Sequence, residues 1–216
     1  MVGYKLAIVI PALNEEASIG GVVSRLLEYG VPIVIDDGSK DSTGDVASEA
    51  GAKVIRHQAN KGYDEAINSG FACAEKLGFE IVITMDADGQ HDESMIAKFA
   101  EEIVSGAEVV IGIRNVKPRI AERLFAFIAK AKWGIDDPLC GFKAYSIKIY
   151  QKLGFFDTYG SIGTELAIFA AKNQYKIKQI PVQVKPRFND GSPRFGGSLR
   201  ANSLILRSLL LALRSK

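Results

Sequence analysis

Short apolar runs alternate along the chain with stretches in which apolar residues recur every three or four positions. Residues 5–10, 32–35, 53–55, 80–85 and 108–113 form the short runs, and their near lack of polar residues predicts strands buried on both faces. Residues 18–29, 42–50, 65–77 and 94–105 carry the helical spacing. Gly30, Gly51 and Gly78 stand just past the first three of these as terminators, and Ser94 opens the fourth as first residue or cap.

Strands and helices in strict alternation predict a mostly parallel sheet with helices on both faces, an α/β three-layer sandwich. Ligands bind such sheets beyond the carboxyl ends of the strands. Polar clusters follow four of the strands directly: Asn14-Glu15, Asp36-Asp37-Gly38-Ser39, Asp86-Ala87-Asp88-Gly89-Gln90, and Arg114. All four are therefore expected on one edge of the sheet. The second half is less regular. Residues 120–132 read as an amphipathic helix, 141–145 as a strand, 163–173 as a helix and 176–184 as a strand broken by Pro181. A loop rich in Gly, Pro, Ser and Arg occupies 185–198, and 199–213 fits a terminal helix.

A chain of 216 residues fits one domain, and 47% hydrophobic with 24% charged residues is an ordinary globular balance. The net charge of +2 supplies no strong field and argues against a nucleic-acid partner. Its distribution is uneven: residues 172–216 hold ten Lys and Arg against Asp190 alone, while the preceding 171 residues are net −7. A basic tail on an acidic body suits an anionic surface or ligand, or is simply solvated. Cys73 and Cys140 lack metal-ligand spacing, which disfavours a disulfide framework and fits a reducing, cytoplasmic compartment. The N-terminal run ends at Pro11 and reads as a strand, not a targeting segment. No apolar stretch reaches the ~18 residues of a spanning helix.

A strand-end Asp-x-Asp followed by a carboxamide offers hard oxygen ligands for Mg2+ or Mn2+; a helix cap or a plain turn accounts for the same residues. Asp36–Ser39 reads equally as a turn or as a nucleoside contact, and Asn14-Glu15 as a loop entering a helix. His91 reads as a hydrogen-bonded structural residue, and His57 as a strand-end residue with no partner pattern.

The set as a whole resembles the inverting family 2 glycosyltransferases of GT-A fold that use nucleotide-sugars. The resemblance is carried by Pro11-Ala-Leu-Asn14-Glu15, by "VIDDGSKDST" from Val34, by Asn60-Lys61-Gly62 with Ala66 and Gly70, by "MDADGQH" from Met85 and by "IGIRN" from Ile111. Asp137-Pro-Leu-Cys140-Gly141-Phe142-Lys143 is similar to a motif of polyprenyl- and dolichyl-phosphate mannose and glucose synthases. Arg194-x-Gly196-x-Ser198 resembles that group's Arg-x-Gly-x-Ser-Lys element, with the departure that Leu199 replaces the Lys and Arg200 follows.

The resemblance implies a metal-dependent transfer of a hexose from GDP-mannose or UDP-glucose to a polyprenyl or dolichyl phosphate. Pro11, Asn14, Glu15, Asp37, Gly38, Lys61, Asp86 and Arg114 would bind the nucleotide-sugar; Asp86, Asp88 and Gln90 would hold the metal. Asp137, Asp88 and Arg194 are the expected catalytic residues, with Asp137 a positioner ahead of a base and Glu165 a lesser candidate base. Arg187, Arg194, Ser198 and Arg200 would receive the acceptor phosphate.

Residues 1–198 are expected to be the catalytic domain and 199–216 an amphipathic C-terminal helix. Arg200, Arg207 and Arg214 lie seven apart on that helix, which either packs on protein or lies in a membrane interface. A lipid-linked acceptor implies peripheral association with the cytoplasmic face of a membrane. Anchoring would come from the surface itself or from a membrane-protein partner, since relatives often carry spanning helices beyond this point. Two other readings remain: a transferase of the same fold with a soluble or saccharide acceptor, and a silent nucleotide-sugar-binding subunit. A sugar-1-phosphate nucleotidyltransferase is disfavoured, because no Gly-rich, Arg-containing loop follows the first strand.

Overall fold

Strand β1 (Leu6–Ala12) is apolar from end to end, and residues 7–10 are fully buried. Such a strand is stable only between two apolar layers. The computed structural model, which describes residues 4–87, 92–115, 117, 119–158, 160, 163–183 and 198–214 (side chains of 198–200 excepted), supplies both. Along β1, Leu6, Ile8 and Ile10 enter one core and Ala7 and Val9 the other, the two-residue alternation of a pleated strand.

The remaining strands are β2 (Val31–Asp36), β3 (Lys53–Arg56), β4 (Ile81–Thr84), β5 (Val109–Arg114), β6 (Lys143–Ser146) and β7 (Ile177–Val182). They form one sheet in the order β3-β2-β1-β4-β6-β5-β7. Only β6 runs antiparallel to its neighbours, β4 and β5. Helices α1 (Glu16–Leu26), α2 (Thr43–Glu49) and α4 (Met95–Val104) cover one face. The other face carries α3 (Tyr63–Lys76), α5 (Ile120–Trp133), α6 (Ile147–Leu153), α7 (Glu165–Lys172) and α8 (Ser198–Arg214).

Two local readings need correction. Pro181 does not break β7, where it stands opposite Ile113 of β5. As the last strand in the order, β7 forms ladder bonds on one side only, and an edge strand tolerates the missing N–H. The α6 turn, unread in the sequence, ends on Gly154 at φ 88, whose N–H bonds the Tyr150 carbonyl. Leu153-Gly154 was its signal: an apolar residue followed by a left-handed glycine.

The C-terminal helix packs on α5. Ala201, Ile205, Leu209 and Ala212 form its buried stripe. Lys172 donates to the Ala212 carbonyl at 3.0 Å and lies 5.7 Å from the Trp133 ring centre, so the C-terminal ends of α5 and α8 meet at one side chain. No described helix is long and apolar enough to cross a membrane.

Helix α3 lies close on β1 because Gly70 lacks a side chain: a Cβ there would stand 2.2 Å from Val9 Cγ1. Gly70→Ala is expected to destabilise the fold by about 1–3 kcal/mol through overpacking. The check is a lower urea midpoint with an unchanged denaturant slope.

Candidate active site

Strands β1, β2, β4 and β5 are mutually parallel, so their carboxyl ends share one edge; β6, running the other way, begins there with Lys143 level with both Thr84 and Ile111. Asn14, Glu15, Asp36, Asp37, Asp86, Arg114 and the 137–143 segment thereby reach one rim, as the strand-end clusters predicted. Pro11 lies within β1, opposite Ile35.

On the β1–β2 side, Asn14 adopts φ 51. Its N–H donates to Ser39 Oγ at 2.9 Å and its Oδ1 accepts from the Lys40 N–H at 2.8 Å. The Glu15 N–H donates to Thr43 Oγ1 at 2.7 Å, and its carboxylate accepts from Ser18 Oγ at 2.8 Å. These bonds lock the β1 exit to the β2 exit. Gly38 turns the chain at φ 76, where a Cβ would lie 2.7 Å from the Ala59 carbonyl carbon.

Asp37 is 4% exposed, yet its carboxylate is well supplied with donors. Oδ1 accepts from the Lys61 N–H at 2.9 Å and lies 2.6 Å from His57 Nδ1; Oδ2 accepts from the Gly62 N–H at 2.9 Å. Lys61 thus meets Asp37 through its backbone, and its side chain is exposed. His57 sits immediately past β3, as expected of a strand-end residue, but it has partners: its Nε2 lies 2.9 Å from Ser69 Oγ on α3.

Asp86 follows β4 and is half-buried, with the Tyr63 hydroxyl donating to its Oδ1 at 3.3 Å. Burial, and then the Asp86 carboxylate, push the Tyr63 phenol well above its ordinary range, so it stays a protonated donor. Behind Asp86, Gly141 leaves the room the carboxylate occupies: a Cβ there would lie 2.8 Å from Oδ2. A carboxylate at this place offers hard oxygen of a kind that suits Mg2+ or Mn2+. Its expected companions Asp88 and Gln90, with Gly89 and His91, lie outside the described residues, among which no group of three or more His, Cys, Asp and Glu gathers for a metal.

Between β5 and β6 the charges pair. Asp137, 1% exposed, accepts from Arg114 Nε at 2.8 Å and the Arg114 N–H at 3.0 Å on Oδ2, and from Nη2 at 2.9 Å on Oδ1. Arg114 Nη2 also reaches Glu122 at 3.2 Å, which Arg119 approaches at 2.9 Å. Burial alone lowers an arginine's pKa; here the hydrogen bonds and charge of Asp137 reverse that and hold Arg114 above its ordinary range. Cys140 is fully buried, and burial pushes its thiol up to about 11, so it is neutral at pH 7. Lys143 is buried, its Nζ donating to the Gly163 carbonyl at 3.1 Å, and burial pulls its ammonium below the ordinary value.

A cavity of about 750 Å3 opens along this rim between the β1 exit, the start of α3, the 157–160 turn and the start of α8. Asp37, Asn60, Tyr63, Asn68, Asp157 and Leu204 contribute to its wall. Several of these went unread in the sequence. Asn68 ties α3 to the turn, accepting from the Phe156 N–H at 2.6 Å and donating to the Asp157 carbonyl at 3.4 Å. Asp157 accepts from the Gly160 and Glu165 N–H groups at 3.1 and 2.9 Å, and Glu165 itself accepts from Thr158. No motif spacing marks these residues; the signal was only the turn residues Asp157 and Gly160 ahead of a helix. Arg187 and Arg194 lie outside the described residues, as do the side chains of Ser198 and Arg200 in the first turn of α8.

Residues 7–159 match the Glycosyl transferase family 2 profile. The UDP-N-acetylglucosamine–dolichyl-phosphate N-acetylglucosaminyltransferase of Methanococcus voltae is 30% identical over 211 residues, covering 82% of this chain and 84% of its own. The dolichyl-phosphate hexose transferase of Haloferax volcanii is 28% identical, with 93% of this chain and 92% of that protein covered. Glucosyl-3-phosphoglycerate synthase from Mycobacterium tuberculosis, solved in complex with Mn2+, uridine diphosphate and phosphoglyceric acid, superposes with a TM-score of 0.80 at 22% identity, over 99% of this chain and 80% of that one. That last likeness speaks to the fold alone. The profile spans most of the chain, and the mixed sheet with its polar rim is the fold it describes: the chain belongs to glycosyl transferase family 2 and is a glycosyltransferase of GT-A fold.

Proposed function

We propose that the enzyme transfers a hexose, with inversion, from GDP-mannose or UDP-glucose to a polyprenyl or dolichyl phosphate at a membrane surface. The observation that carries this reading is the convergence of Asp37, Asp86 and the Arg114–Asp137 pair on one cavity-bearing rim. The lipid acceptor draws support from the relatives, two of which are named for dolichyl phosphate.

In this reading the β1 and β2 exits, with Pro11, Asn14, Glu15, Asp37, Gly38 and Lys61, seat the nucleoside against the loop that Asp37 organises. Asp86, with Asp88 and Gln90, would hold Mg2+ or Mn2+. Bound there, the ion offsets the charge of the departing nucleoside diphosphate. Arg114 and Asp137 brace the rim where the hexose sits, so Asp137 is a positioning residue; its two oxygens already accept three bonds from Arg114. An acceptor phosphate is anionic at pH 7 and needs no base. Its oxygen attacks the anomeric carbon, forming a new C–O bond on the face opposite the diphosphate, while the anomeric C–O bond to the diphosphate breaks and its electron pair leaves with the nucleoside diphosphate. Arg187, Arg194, Ser198 and Arg200 receive that phosphate, where guanidinium geometry fits two oxygens at once.

The membrane contact falls to α5 and α8. Directly opposite its buried stripe, α5 exposes Ile120, Leu124 and Phe127, with Ile120 at 74% and Phe127 at 73%. On α8 the outward sector holds Leu206 and Leu210 with Arg207 and Arg214, and the helix contains no acid. Apolar side chains flanked by arginines suit an anionic bilayer surface, into which leucines dip while guanidinium groups meet headgroups.

Three outcomes are expected. Asp86→Ala lowers kcat about 10²-fold or more in transfer assays with Mn2+ and a short-chain polyprenyl phosphate; full activity would refute the metal assignment. Asp137→Asn removes the nearer of Arg114's two buried counter-charges, leaving Glu122, and destabilises the fold by about 3 kcal/mol, read by urea denaturation. Phe127→Glu combined with Leu210→Glu weakens adsorption to anionic vesicles about tenfold or more, measured by co-sedimentation, with donor binding unaltered.

A further inference from the structure

Three elements meet behind the nucleoside wall: Asp37 past β2, His57 past β3, and Ser69 on α3. Both partners in the His57–Asp37 contact are buried, with 5% and 6% of their side chains exposed, and the heavy atoms are 2.6 Å apart. A carboxylate only accepts, so His57 Nδ1 carries the proton in this bond. In the neutral ring Nε2 is then an acceptor, and Ser69 Oγ, 2.9 Å away, is its donor. In that tautomer the chain runs from serine hydroxyl to imidazole and from imidazole to carboxylate.

Two backbone N–H groups, from Lys61 and Gly62, already hold Asp37 in place. A carboxylate offers about four acceptor directions. The backbone and His57 fill three, and Asp37 lines the cavity with what remains. We propose that His57 and Ser69 are a positioning pair that sets donor affinity: by pinning Oδ1 from behind, they turn the remaining acceptor edge of Asp37 towards an N–H of the nucleoside base. This rests on the reading that the nucleoside sits at Asp37. It adds a residue to that reading which touches no ligand and acts only through the carboxylate.

Two amides separate this role from simple packing. Asn at position 57 carries its N–H where Nδ1 stands and keeps the bond to Asp37. Gln places its amide near Nε2, towards Ser69, and loses that bond. Dissociation constants for UDP-glucose and GDP-mannose are measured with Mn2+ by calorimetric titration, and kcat at saturating donor. His57→Gln and His57→Ala are expected to bind the donor that wild type prefers roughly tenfold more weakly, at unchanged kcat. His57→Asn is expected to stay within about threefold of wild type. Equal affinity in His57→Gln and wild type, equal losses in the Asn and Gln variants, or a kcat that falls in step with affinity would each overturn the pairing. Should His57→Ala or His57→Gln fail to fold, Ser69→Ala carries the test: it removes only the bond that anchors the ring at Nε2, several-fold weaker donor binding is expected, and wild-type affinity refutes the role. A wild-type protein that binds neither sugar nucleotide refutes the nucleoside reading and this inference with it.

Discussion

A sheet covered by helices on both faces keeps water from both, so polar side chains can be satisfied only at the strand ends. With six strands parallel, their carboxyl ends all open on one edge, and the single antiparallel strand, β6, starts from that same edge. Everything chemical in the molecule follows from this confinement. The two cores are filled by alternate residues of the same strands, which leaves the rim as the place where Asp36, Asp37, Asp86, Arg114 and Asp137 accumulate. Crowding carboxylates there is costly unless each is given donors.

The donors differ in kind, and their energies decide what each carboxylate can do. Asp137 is answered by a guanidinium held through two oxygens, a buried pair whose disruption is worth about 3–5 kcal/mol. A surface pair such as Arg56 with Asp45, both more than half exposed, is screened by water and contributes far less. Asp37 is answered by two backbone N–H groups and an imidazole, which hold it without a neutralising arginine. Among the contacts of Asp86 is the Tyr63 hydroxyl, a neutral donor at 3.3 Å. The rim thus holds one charge already neutralised by a guanidinium, at Asp137, and others met by neutral donors, at Asp37 and Asp86.

Much of this was legible in the chain itself. Four of the first five strands were readable because strands buried on both faces leave apolar runs, the edge strand β3 from its short Val54-Ile55 pair, and four helices because each keeps one apolar stripe. Their alternation alone placed the four polar clusters on one edge. The direction of β6 was not readable, since a four-residue strand carries no mark of its orientation; nor was the continuation of β7 through Pro181, which depends on its having a neighbour on one side only. The partners of His57 were hidden for a similar reason. Asp37, His57 and Ser69 have no fixed spacing, and only the adjacent ends of β2 and β3, with α3 packed across them, bring the three together. Asn68 and Asp157, 89 residues apart, meet in the same way.

The state of Asp137 bears on the chemistry beyond its contribution to stability. A sugar or alcohol acceptor offers a hydroxyl that must lose its proton as it attacks, and a site for it needs a carboxylate with an oxygen to spare. Asp137, the conspicuous carboxylate where β6 begins, gives both oxygens to Arg114 and lies 1% exposed, so taking up a proton there means breaking a buried ion pair. Glu165 accepts from the N–H and hydroxyl of Thr158 through one oxygen, Oε2, at 2.6 and 2.7 Å. A phosphate monoester makes no such demand, because its second proton is largely gone at pH 7 and it arrives as the nucleophile. It asks instead for cations around it. In the proposed reading, a rim that spends Asp137 on holding Arg114 is better suited to orienting an anion than to making one.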